Sequence, residues 1–288
     1  VCNFGNNRVH LLQSSCRKPT IVSQTTTERS EYILAQVYDR GRVTIKDLAV
    51  ELDVSEATVR RDLKGLAEQR AVELVYGGAA PPRTRDYSFR SKEIRNVEAK
   101  RVIGQLAAEL VTDNEQVFID SGTTCFQMAR QLKSAAGVSV IANSARLALE
   151  LDAPGMNVIM LGGQYRPARM DAMCPMATAA LSELRGYIAF IGADGLSREF
   201  GLSASDLDSS HLYALAVRNS RKAVLLADHS KFLAPSLFKI VDCSAISQVV
   251  TDRRPNDEWM RYFEELGIDV VYPPANNALP KPQAGGVG

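Results

Sequence analysis

Residues 44–78 place a short helix, a tight corner, a second helix and a strand pair in one continuous stretch, and this stretch most constrains the fold. Thr44 is a candidate helix cap, because apolar residues follow it at helical spacing. Asp53 marks the corner, and Ser55 can accept hydrogen bonds from the amides that open the next helix. Gly77-Gly78 then marks a hairpin turn. This order of elements is typical of a winged helix-turn-helix.

The second helix of this stretch is expected to have a cationic outer face. Val59, Leu63 and Leu66 recur on one side, so small and basic residues are left for the other. Such a face fits the major groove of DNA, although Asp62 and Glu68 interleave it and an ordinary solvated face is the alternative. The order of the elements favours DNA. The predicted DNA-binding residues, from the caps, the helix and the wing, are Thr44, Ser55, Glu56, Ala57, Thr58, Arg60, Arg61, Lys64, Tyr76 and Gly77.

Length and composition narrow the class of protein. A chain of 288 residues can form two domains, and its net charge of +1 requires that any affinity for DNA come from a local patch. No apolar run approaches the roughly 20 residues of a membrane span. We therefore expect a cytoplasmic protein without a membrane partner, with residues 1–27 and 275–288 disordered. The five cysteines show no metal-ligand spacing, which predicts reduced thiols and no metal site: Cys2, Cys16, Cys125, Cys174 and Cys243.

The larger, C-terminal part of the chain predicts an α/β domain. After a winged helix-turn-helix at 28–80, residues 81–96 read as a linker, and the stretch 83–101 holds seven Lys or Arg against three acids, a locally positive neck. A helix is expected at 97–111, where it is a plausible oligomer interface. Within 97–274, short apolar runs alternate with helical or irregular segments, which predicts a doubly wound, largely parallel sheet. The runs are VFID, VSVIAN, NVIMLGG, YIAFIGADG, KAVLLADHS, QVVTD and DVVYP.

Most of these strands end in a polar residue or a glycine, and ligands bind at the carboxyl edge of such sheets. Asp120 is followed by Ser121-Gly122-Thr123-Thr124 and then by an apolar helix. Amides at a helix N-terminus together with hydroxyl groups make an anion cradle, although a plain turn capped by Thr is an equal alternative. Neither a Walker lysine nor GxGxxG accompanies it, which disfavours nucleotide hydrolysis and dinucleotide binding.

Two sets of motifs resemble one known family. VSEATVRRDLKGLAEQ followed by YGGAA resembles the N-terminal signature of the DeoR family of bacterial transcriptional repressors, with Tyr76 where that family usually has His. IDSGTT, ANS, LGGQYR, IGADG and ADHSKF resemble its effector domain, so the resemblance covers about 28–273. It implies a body similar in fold to ribose-5-phosphate isomerase, double-stranded operator DNA and a phosphorylated sugar or related metabolite as partners, a homo-oligomer (dimer or tetramer), and no cofactor or catalytic residue.

The resemblance also implies the effector site. Asp120, Asp194 and Gly195 would face the hydroxyl groups of the ligand, and Lys231, rather than Lys222, would lie on the ligand edge. The predicted phosphate-binding residues are Ser121, Gly122, Thr123 and Thr124, with Asn143, Gly163, Arg166 and Asp206 completing the effector site. Cys174 and the stretch 208–213 depart from the family pattern, which affects the identity of the effector. The alternatives are a sugar-phosphate isomerase or deaminase fused to a DNA-binding head and, more weakly, an architectural DNA-binding protein.

Overall fold

The computed structural model describes residues 26–69, 71–81, 89–132, 136–152 and 154–274. The chain divides into two compact units: residues 1–68 with 72–81, and residues 69–71 with 82–288. Most of the predicted N-terminal extension, linker residues 82–88 and the predicted tail at 275–288 lie outside the described residues. Among the described residues no helix is both long and apolar enough to cross a membrane.

The first unit is a three-helix domain with a small antiparallel sheet of order β1-β3-β2. Its core is formed by apolar residues of all three helices, among them Ile33, Leu48 and Leu63, which are fully buried. The helix that precedes the predicted stretch, α1, was not anticipated. The elements are α1 (Thr26–Arg40), β1 (Val43–Thr44), α2 (Ile45–Leu52), α3 (Glu56–Glu68), β2 (Glu73–Val75) and β3 (Gly78–Ala80).

The second unit has seven further α-helices, two 3-10 helices (His229–Phe232 and Cys243–Ala245) and twelve further strands within the described residues. The helices are α4 (Phe89–Glu93), α5 (Val97–Ala108), α6 (Thr123–Gln131), α7 (Ala145–Glu150), α8 (Pro175–Ser182), α9 (Leu207–Asn219) and α10 (Asp257–Glu265). The strands are β4 (Gln116–Ile119), β5 (Ser139–Ala142), β6 (Asn157–Met160), β7 (Gln164–Arg166), β8 (Asp171–Met173), β9 (Ile188–Gly192), β10 (Gly195–Ser197), β11 (Gly201–Ala204), β12 (Lys222–Leu226), β13 (Phe238–Val241), β14 (Gln248–Val250) and β15 (Asp269–Val271).

The main sheet contains seven strands in the order β15-β14-β12-β9-β4-β5-β6, and every pair in it is parallel. These are the seven apolar runs of the sequence, so the predicted parallel sheet is confirmed. Residues alternate between its faces: Phe118 packs in one core, and Val117 and Ile119 pack in the other. The first core includes residues of α8, α9 and α10, and the second includes residues of α5, α6 and α7. The sheet is thus covered on both faces, as a doubly wound fold requires.

Two smaller sheets supplement the parallel one. Strands β10, β11 and β13 form an antiparallel sheet, and β7 and β8 form a hairpin. The sequence did not reveal them, because they are short and follow the strand ends directly. The helix expected at 97–111 ends at Ala108.

Candidate functional site

The two helices of the helix-turn-helix begin at the predicted caps. Thr44 Oγ1 accepts from the Asp47 amide at 3.1 Å and donates to Asp47 Oδ2 at 2.7 Å. Ser55 Oγ accepts from the Thr58 amide at 3.1 Å. Between the helices Asp53 has φ 53°, a left-handed conformation that turns the chain sharply. The hydroxyl groups of Thr44 and Ser55 therefore orient the helices, and their contact with DNA stays a prediction.

The outer face of α3 is exposed and cationic. Ala57, Arg60, Arg61 and Lys64 are exposed, and Thr58 is half-buried. Arg60 forms an ion pair with Glu56 one turn earlier, at 2.7 Å. Within the part of the chain that the structure describes, Arg61 and Lys64 have no ion-pair partner. Their charges are thus available to phosphates or base edges.

Asp62 does not interleave this face, contrary to the sequence-based expectation. Its side chain is buried and accepts from Arg29 of α1, at 2.5 Å from Nε and 3.0 Å from the terminal nitrogen. The Arg29 side chain is itself only 13% exposed. Because this carboxylate points inward, it does not neutralise the outer arginines, and the face is more basic than the sequence pattern indicates.

The wing is the hairpin of β2 and β3, and Tyr76 is at its tip with 98% of its surface exposed. Gly77 completes the turn with φ 74°. Gly78 lies so close to β1 that an added Cβ would be 1.9 Å from the Val43 carbonyl oxygen. Arg42 donates to the Tyr76 carbonyl at 3.1 Å, which ties the tip to the domain. The wing thus exposes the phenol ring of Tyr76, whereas the family commonly has an imidazole at this position.

In the second unit, the Asp120 side chain binds the backbone of the loop that forms the predicted cradle. Its buried carboxylate accepts from the Gly122 amide at 2.5 Å and from the Gly192 amide. Burial raises the pKa of Asp120, and the two amides oppose that rise. Both oxygens are held by backbone groups, so Asp120 joins the ends of β4 and β9, and its contact with ligand hydroxyls stays a prediction.

Two predicted glycines have a packing role. A Cβ on Gly195 would be 2.2 Å from the Ala234 carbonyl oxygen, and one on Gly163, where φ is 144°, would be 2.5 Å from that of Met173. Both positions therefore require glycine for close backbone approach. This explains them without a ligand.

The hydroxyl groups of the cradle divide into two kinds. Ser121 Oγ lies 3.0 Å from Asp171 Oδ2 and 3.0 Å from the Tyr213 hydroxyl, so its hydrogen bonds are already made. Thr123 and Thr124 begin α6, and in the described part of the protein their hydroxyls make no hydrogen bond. Gly122 precedes them as the cap residue. A ligand anion would therefore meet the two threonine hydroxyls and the amides of the first helical turn.

Arg166 is engaged by carboxylates. It binds Asp171 through two nitrogens at 2.8 and 2.9 Å and Asp206 at 2.7 Å. Although burial opposes the change, these ion pairs raise the pKa of Arg166. Asp206 also accepts from the Ser209 amide as the cap of α9 and lies 3.4 Å from Arg169. The predicted contacts of Arg166 and Asp206 with an effector therefore require that the ligand replace existing partners.

Asn143 is fully buried at the end of β5, and its amide nitrogen donates to the Ala172 carbonyl at 3.3 Å. Among the described residues its side-chain oxygen has no hydrogen-bond partner. An unpaired buried acceptor is costly unless a donor reaches it, so a ligand hydroxyl or a water molecule would be stabilised there. Asn143 follows β5, the strand next to β4, and its contact with an effector stays a prediction.

Asp194 has a partner that the sequence analysis missed. Lys92 of α4 donates to Asp194 Oδ1, and the Ser205 amide donates to the other carboxylate oxygen at 2.8 Å. Although burial acts in the opposite direction, Lys92 and Lys231 lower the pKa of Asp194. Lys92 was counted only as part of the basic neck, and its charge was the one signal that could have identified it.

Around this ion pair lie two more lysines. Lys100 is buried and donates to the Lys92 carbonyl and, at 2.5 Å, to the Arg95 carbonyl. Burial lowers the pKa of Lys100 to about 7. Lys231 follows β12, and among the described residues its side chain makes no hydrogen bond or ion pair. We refer to Lys92, Lys100 and Lys231 as the lysine cluster.

Asp228 ends β12 beside this cluster. Its Oδ1 accepts from Asn96 at 2.9 Å and from the Ser230 amide at 3.0 Å, and its buried Oδ2 has no hydrogen-bond partner in the part of the chain that the structure describes. Although burial opposes the change, Lys231 lowers the pKa of Asp228. In the described part of the chain, no group of His, Cys, Asp and Glu is placed to hold a metal ion, and Cys125, Cys174 and Cys243 are free thiols.

Comparison with known proteins covers both units. Residues 29–85 match the DeoR-like helix-turn-helix domain, and residues 95–253 match the DeoR C terminal sensor domain. The transcriptional regulator GlpR of Haloferax volcanii is 30% identical over 246 residues, which cover 85% of this chain and 96% of that protein. The transcriptional repressor GlcR of Bacillus subtilis is 31% identical over 249 residues, covering 85% and 95%.

Among solved structures, ribose 5-phosphate isomerase A of Methanocaldococcus jannaschii is 19% identical with a TM-score of 0.36, and the match covers 48% of this chain and 55% of that one. This likeness is too low to support a conclusion about function. The curated relatives are named as regulators, which does not support the fused-enzyme alternative. The sequence matches agree with the fold, which combines a winged helix-turn-helix with a body built on a parallel sheet. The chain therefore belongs to the DeoR family of transcriptional regulators.

Proposed function

We propose that the protein represses a carbohydrate-metabolism operon and that a phosphorylated sugar, or a related metabolite, weakens its binding to the operator. The observation that carries this proposal is the cradle: Thr123 and Thr124 lie at the start of α6, at the carboxyl edge of the sheet, and their hydroxyls make no hydrogen bond to a described residue. Amides of a helix N-terminus and hydroxyl donors stabilise a phosphate dianion. The relative from Bacillus subtilis is named a repressor, which supports the direction of regulation.

The DNA contacts are assigned to α3 and the wing. Arg61 and Lys64 are the exposed cations of α3 that lack an ion pair among the described residues. Arginine binds guanine through two hydrogen bonds in the major groove, and the wing lies along phosphates. A homo-oligomer would place two such helices in successive major grooves, about 34 Å apart. The operator would then contain two half-sites.

The mechanism requires that the ligand prefer the arrangement that does not bind DNA. A coupling of about 1 to 3 kcal/mol would weaken operator binding about 5- to 150-fold. Within the second unit, the ligand would occupy the cradle with its phosphate, and its hydroxyl groups would reach acceptors at neighbouring strand ends. Asn143 Oδ1 and Asp228 Oδ2 are two such acceptors, because both are buried without a hydrogen-bond partner among the residues that the structure describes.

The test is a gel-shift titration on the DNA that flanks the protein's own gene, with a panel of phosphorylated and free sugars. Salt must be held constant, because it sets the apparent affinity for DNA. One phosphorylated sugar is expected to weaken specific binding, and its unphosphorylated form is not. Specific binding that no panel member changes would contradict the effector assignment, and the absence of specific binding would contradict the repressor assignment.

A variant in the cradle sharpens this test. Thr123→Val keeps the shape of the side chain and removes its hydroxyl group, so it should abolish the ligand response and preserve operator binding. Thr112→Val is the matched control, because Thr112 is exposed in a loop and bonds only to Glu115, at 3.2 Å. A Thr123→Val protein that responds like the control would show that the phosphate does not bind in the cradle.

A further inference from the structure

The two edges of the main sheet differ in charge. Charged side chains line the groove beside the edge strand β15: Arg254, Asp257, Arg261, Glu264 and Asp269. The opposite edge strand, β6, lies in a stretch without charge, because residues 153–165 contain no Asp, Glu, Lys or Arg. Natural proteins protect exposed sheet edges with charges, proline or bulges. The strand Asn157–Met160 has none of these, so the β6 edge is open to a partner strand.

The backbone groups on the outer side of β6 belong to Val158 and Met160. In a parallel pair, alternate residues point both their amide and their carbonyl group at the neighbouring strand. The Asn157 and Leu161 amides donate to carbonyl groups of β5 and of the residue before it, at 3.0 and 2.8 Å, and Ile159 has the same orientation by alternation. Among the described residues, no strand pairs with the outer side of β6. Two amides and two carbonyls therefore face outward.

The side chains at this edge are apolar on both faces of the sheet. Ile159 is 40% exposed on one face, and Met160 is 48% exposed on the other, where Val158 also lies. The neighbouring elements add apolar surface, since α7 packs against β6 and exposes Leu149, and β7 follows β6 and exposes Tyr165. A stable dimer buries roughly 600 to 1,000 Å² on each copy, so a partner has to cover these neighbours together with the strand.

An antiparallel copy of the same strand satisfies all four outward groups. In a register centred on Ile159, Val158 of each copy faces Met160 of the other, and each such pair exchanges two hydrogen bonds. Ile159 then faces its own counterpart, with about 4.5 Å between the two Cα atoms. Because the stretch carries no charge, two identical surfaces meet without repulsion and leave no charge unpaired.

The other possible pairings are less favourable. If β6 paired with β15 of another copy, the contact would be heterologous and would build an open chain, and it would set the charges beside β15 against an apolar strand. The helix that the sequence suggested as an interface, α5, exposes Glu98, Arg101 and Gln105. The central parts of homodimer interfaces are depleted of charged residues, which favours the β6 edge over α5.

We propose that the β6 edge is a symmetric interface between two copies of this chain, in which β6 pairs antiparallel with itself and Ile159 lies at the two-fold axis. The pairing joins two seven-stranded sheets into one continuous sheet. The inference goes beyond the proposed function, because it does not depend on an effector. It supplies the two copies that an operator with two half-sites requires.

The test places charges at the two-fold axis. Sedimentation of the full chain under reducing conditions should show a dimer, or a larger assembly with an even number of copies, for the wild type. Ile159→Lys and Ile159→Glu should each weaken the β6 contact by about tenfold or more, because like charges would face each other. An equimolar mixture of the two variants should associate about tenfold or more tightly than either alone, since opposite charges then face each other.

Two further variants control this experiment. Leu266→Lys is the matched control, because Leu266 is an apolar residue with 38% exposure at the end of α10, and the change should leave association unaltered. Met160→Pro removes an outward amide and is tolerated where an edge amide faces solvent. It should weaken association about fivefold or more, since two hydrogen bonds are lost in each dimer. Circular dichroism establishes folding, and if the Ile159 variants are not folded, Met160→Pro carries the test.

Four results would overturn the proposal: a monomeric wild type, Ile159→Lys that associates like the wild type, a mixture no tighter than either variant alone, or an equal loss in Leu266→Lys. Gel shifts on the operator separate this inference from the proposed function. If the variants rank as expected and the wild type binds no specific DNA, the interface stands and the proposed function fails. If the wild type binds the operator and Ile159→Lys stays associated, the proposed function stands and this inference fails.

Discussion

Ser121 Oγ lies 3.0 Å from Asp171 Oδ2, with the Tyr213 hydroxyl at the same distance on its other side. An ionised carboxylate only accepts hydrogen bonds, so Ser121 donates its single proton to Asp171 and accepts from Tyr213. Tyr213 lies in the stretch where this sequence departs from its family. One departure from the family pattern is therefore built into the cradle itself.

The first prediction separates the hydroxyl groups of the cradle. Ser121→Ala should change effector affinity by less than about threefold, because that proton is already donated to a carboxylate. Thr123→Val should reduce the affinity about tenfold or more, because it removes a donor to a charged group. Both values come from titrating the ligand response of operator binding. Equal losses in the two variants would mean that Ser121 changes partners when the ligand binds.

The second prediction concerns base reading. Arg61→Ala should weaken specific operator binding by about 1 to 3 kcal/mol if the guanidinium contacts a base. Arg130→Ala, an exposed arginine of the other unit, serves as the control and should have no such effect. Gel shifts on operator and random DNA at one salt concentration measure the difference. An equal loss on both DNAs would reassign Arg61 to a phosphate contact.

The third prediction compares two glycines of the DNA-binding unit. Gly78→Ala should destabilise the wing and weaken DNA binding, because its Cβ would clash with the Val43 carbonyl oxygen. Gly65→Ala should stabilise α3 by about 0.5 to 1 kcal/mol, since no atom lies within 4 Å of the added Cβ. Thermal unfolding of the two variants should therefore shift in opposite directions. A stabilised Gly78→Ala protein would show that the β1 contact is not maintained.

The fourth prediction follows from Lys100. Burial lowers its pKa to about 7, against opposition from Asp228, while Lys231, Lys92 and Arg95 lower it further. Above that pH the unfolded chain binds more protons than the folded protein, so this lysine makes the free energy of unfolding rise as pH increases from 7 to about 8.5. Lys100→Met should reduce that rise.

Denaturant unfolding of both proteins at several pH values measures this effect, and the difference between them isolates Lys100 from the thiols and tyrosines that titrate at higher pH. Above about pH 8, where the Lys100 amine is neutral in the folded protein, the variant should also be less stable than the wild type, because two carbonyl groups lose their donor. Parallel pH profiles for the two proteins would show that Lys100 keeps an ordinary pKa.

Much of the architecture was predictable because its signals are local. The caps at Thr44 and Ser55 are recognised from residues three positions away. Each strand of the parallel sheet is an apolar run that ends in a polar residue or a glycine, and the carboxyl edge follows from the strand direction. The helical spacing of the apolar residues separated the buried from the exposed side of α3, and Asp62, which is buried, is the exception.

The roles of individual site residues were less predictable, because composition and spacing do not indicate a side chain's partner. Asp120 follows a strand as expected, yet both of its carboxylate oxygens accept from backbone amides, which the sequence did not indicate. Arg166 follows a glycine turn, and a long cationic side chain in that position is commonly solvated. In the structure Asp171 and Asp206 instead form ion pairs with it. Lys92 lies in a basic stretch whose sequence predicts a linker, yet in the structure its ammonium group donates to Asp194, which follows β9.

The sequence by itself determined the two domains, the two helices of the helix-turn-helix, the order of the parallel strands along the chain and the polar residues at their carboxyl ends. Only the tertiary structure decided the partner of each buried charge. Arg29 binds Asp62, which is 33 positions away in the sequence, and Lys92 binds Asp194, which is 102 positions away. The Gly192 amide donates to Asp120 across 72 positions. Helix and strand periodicities arise from neighbours a few residues apart, whereas the partner of a buried charge depends on which distant segments pack together.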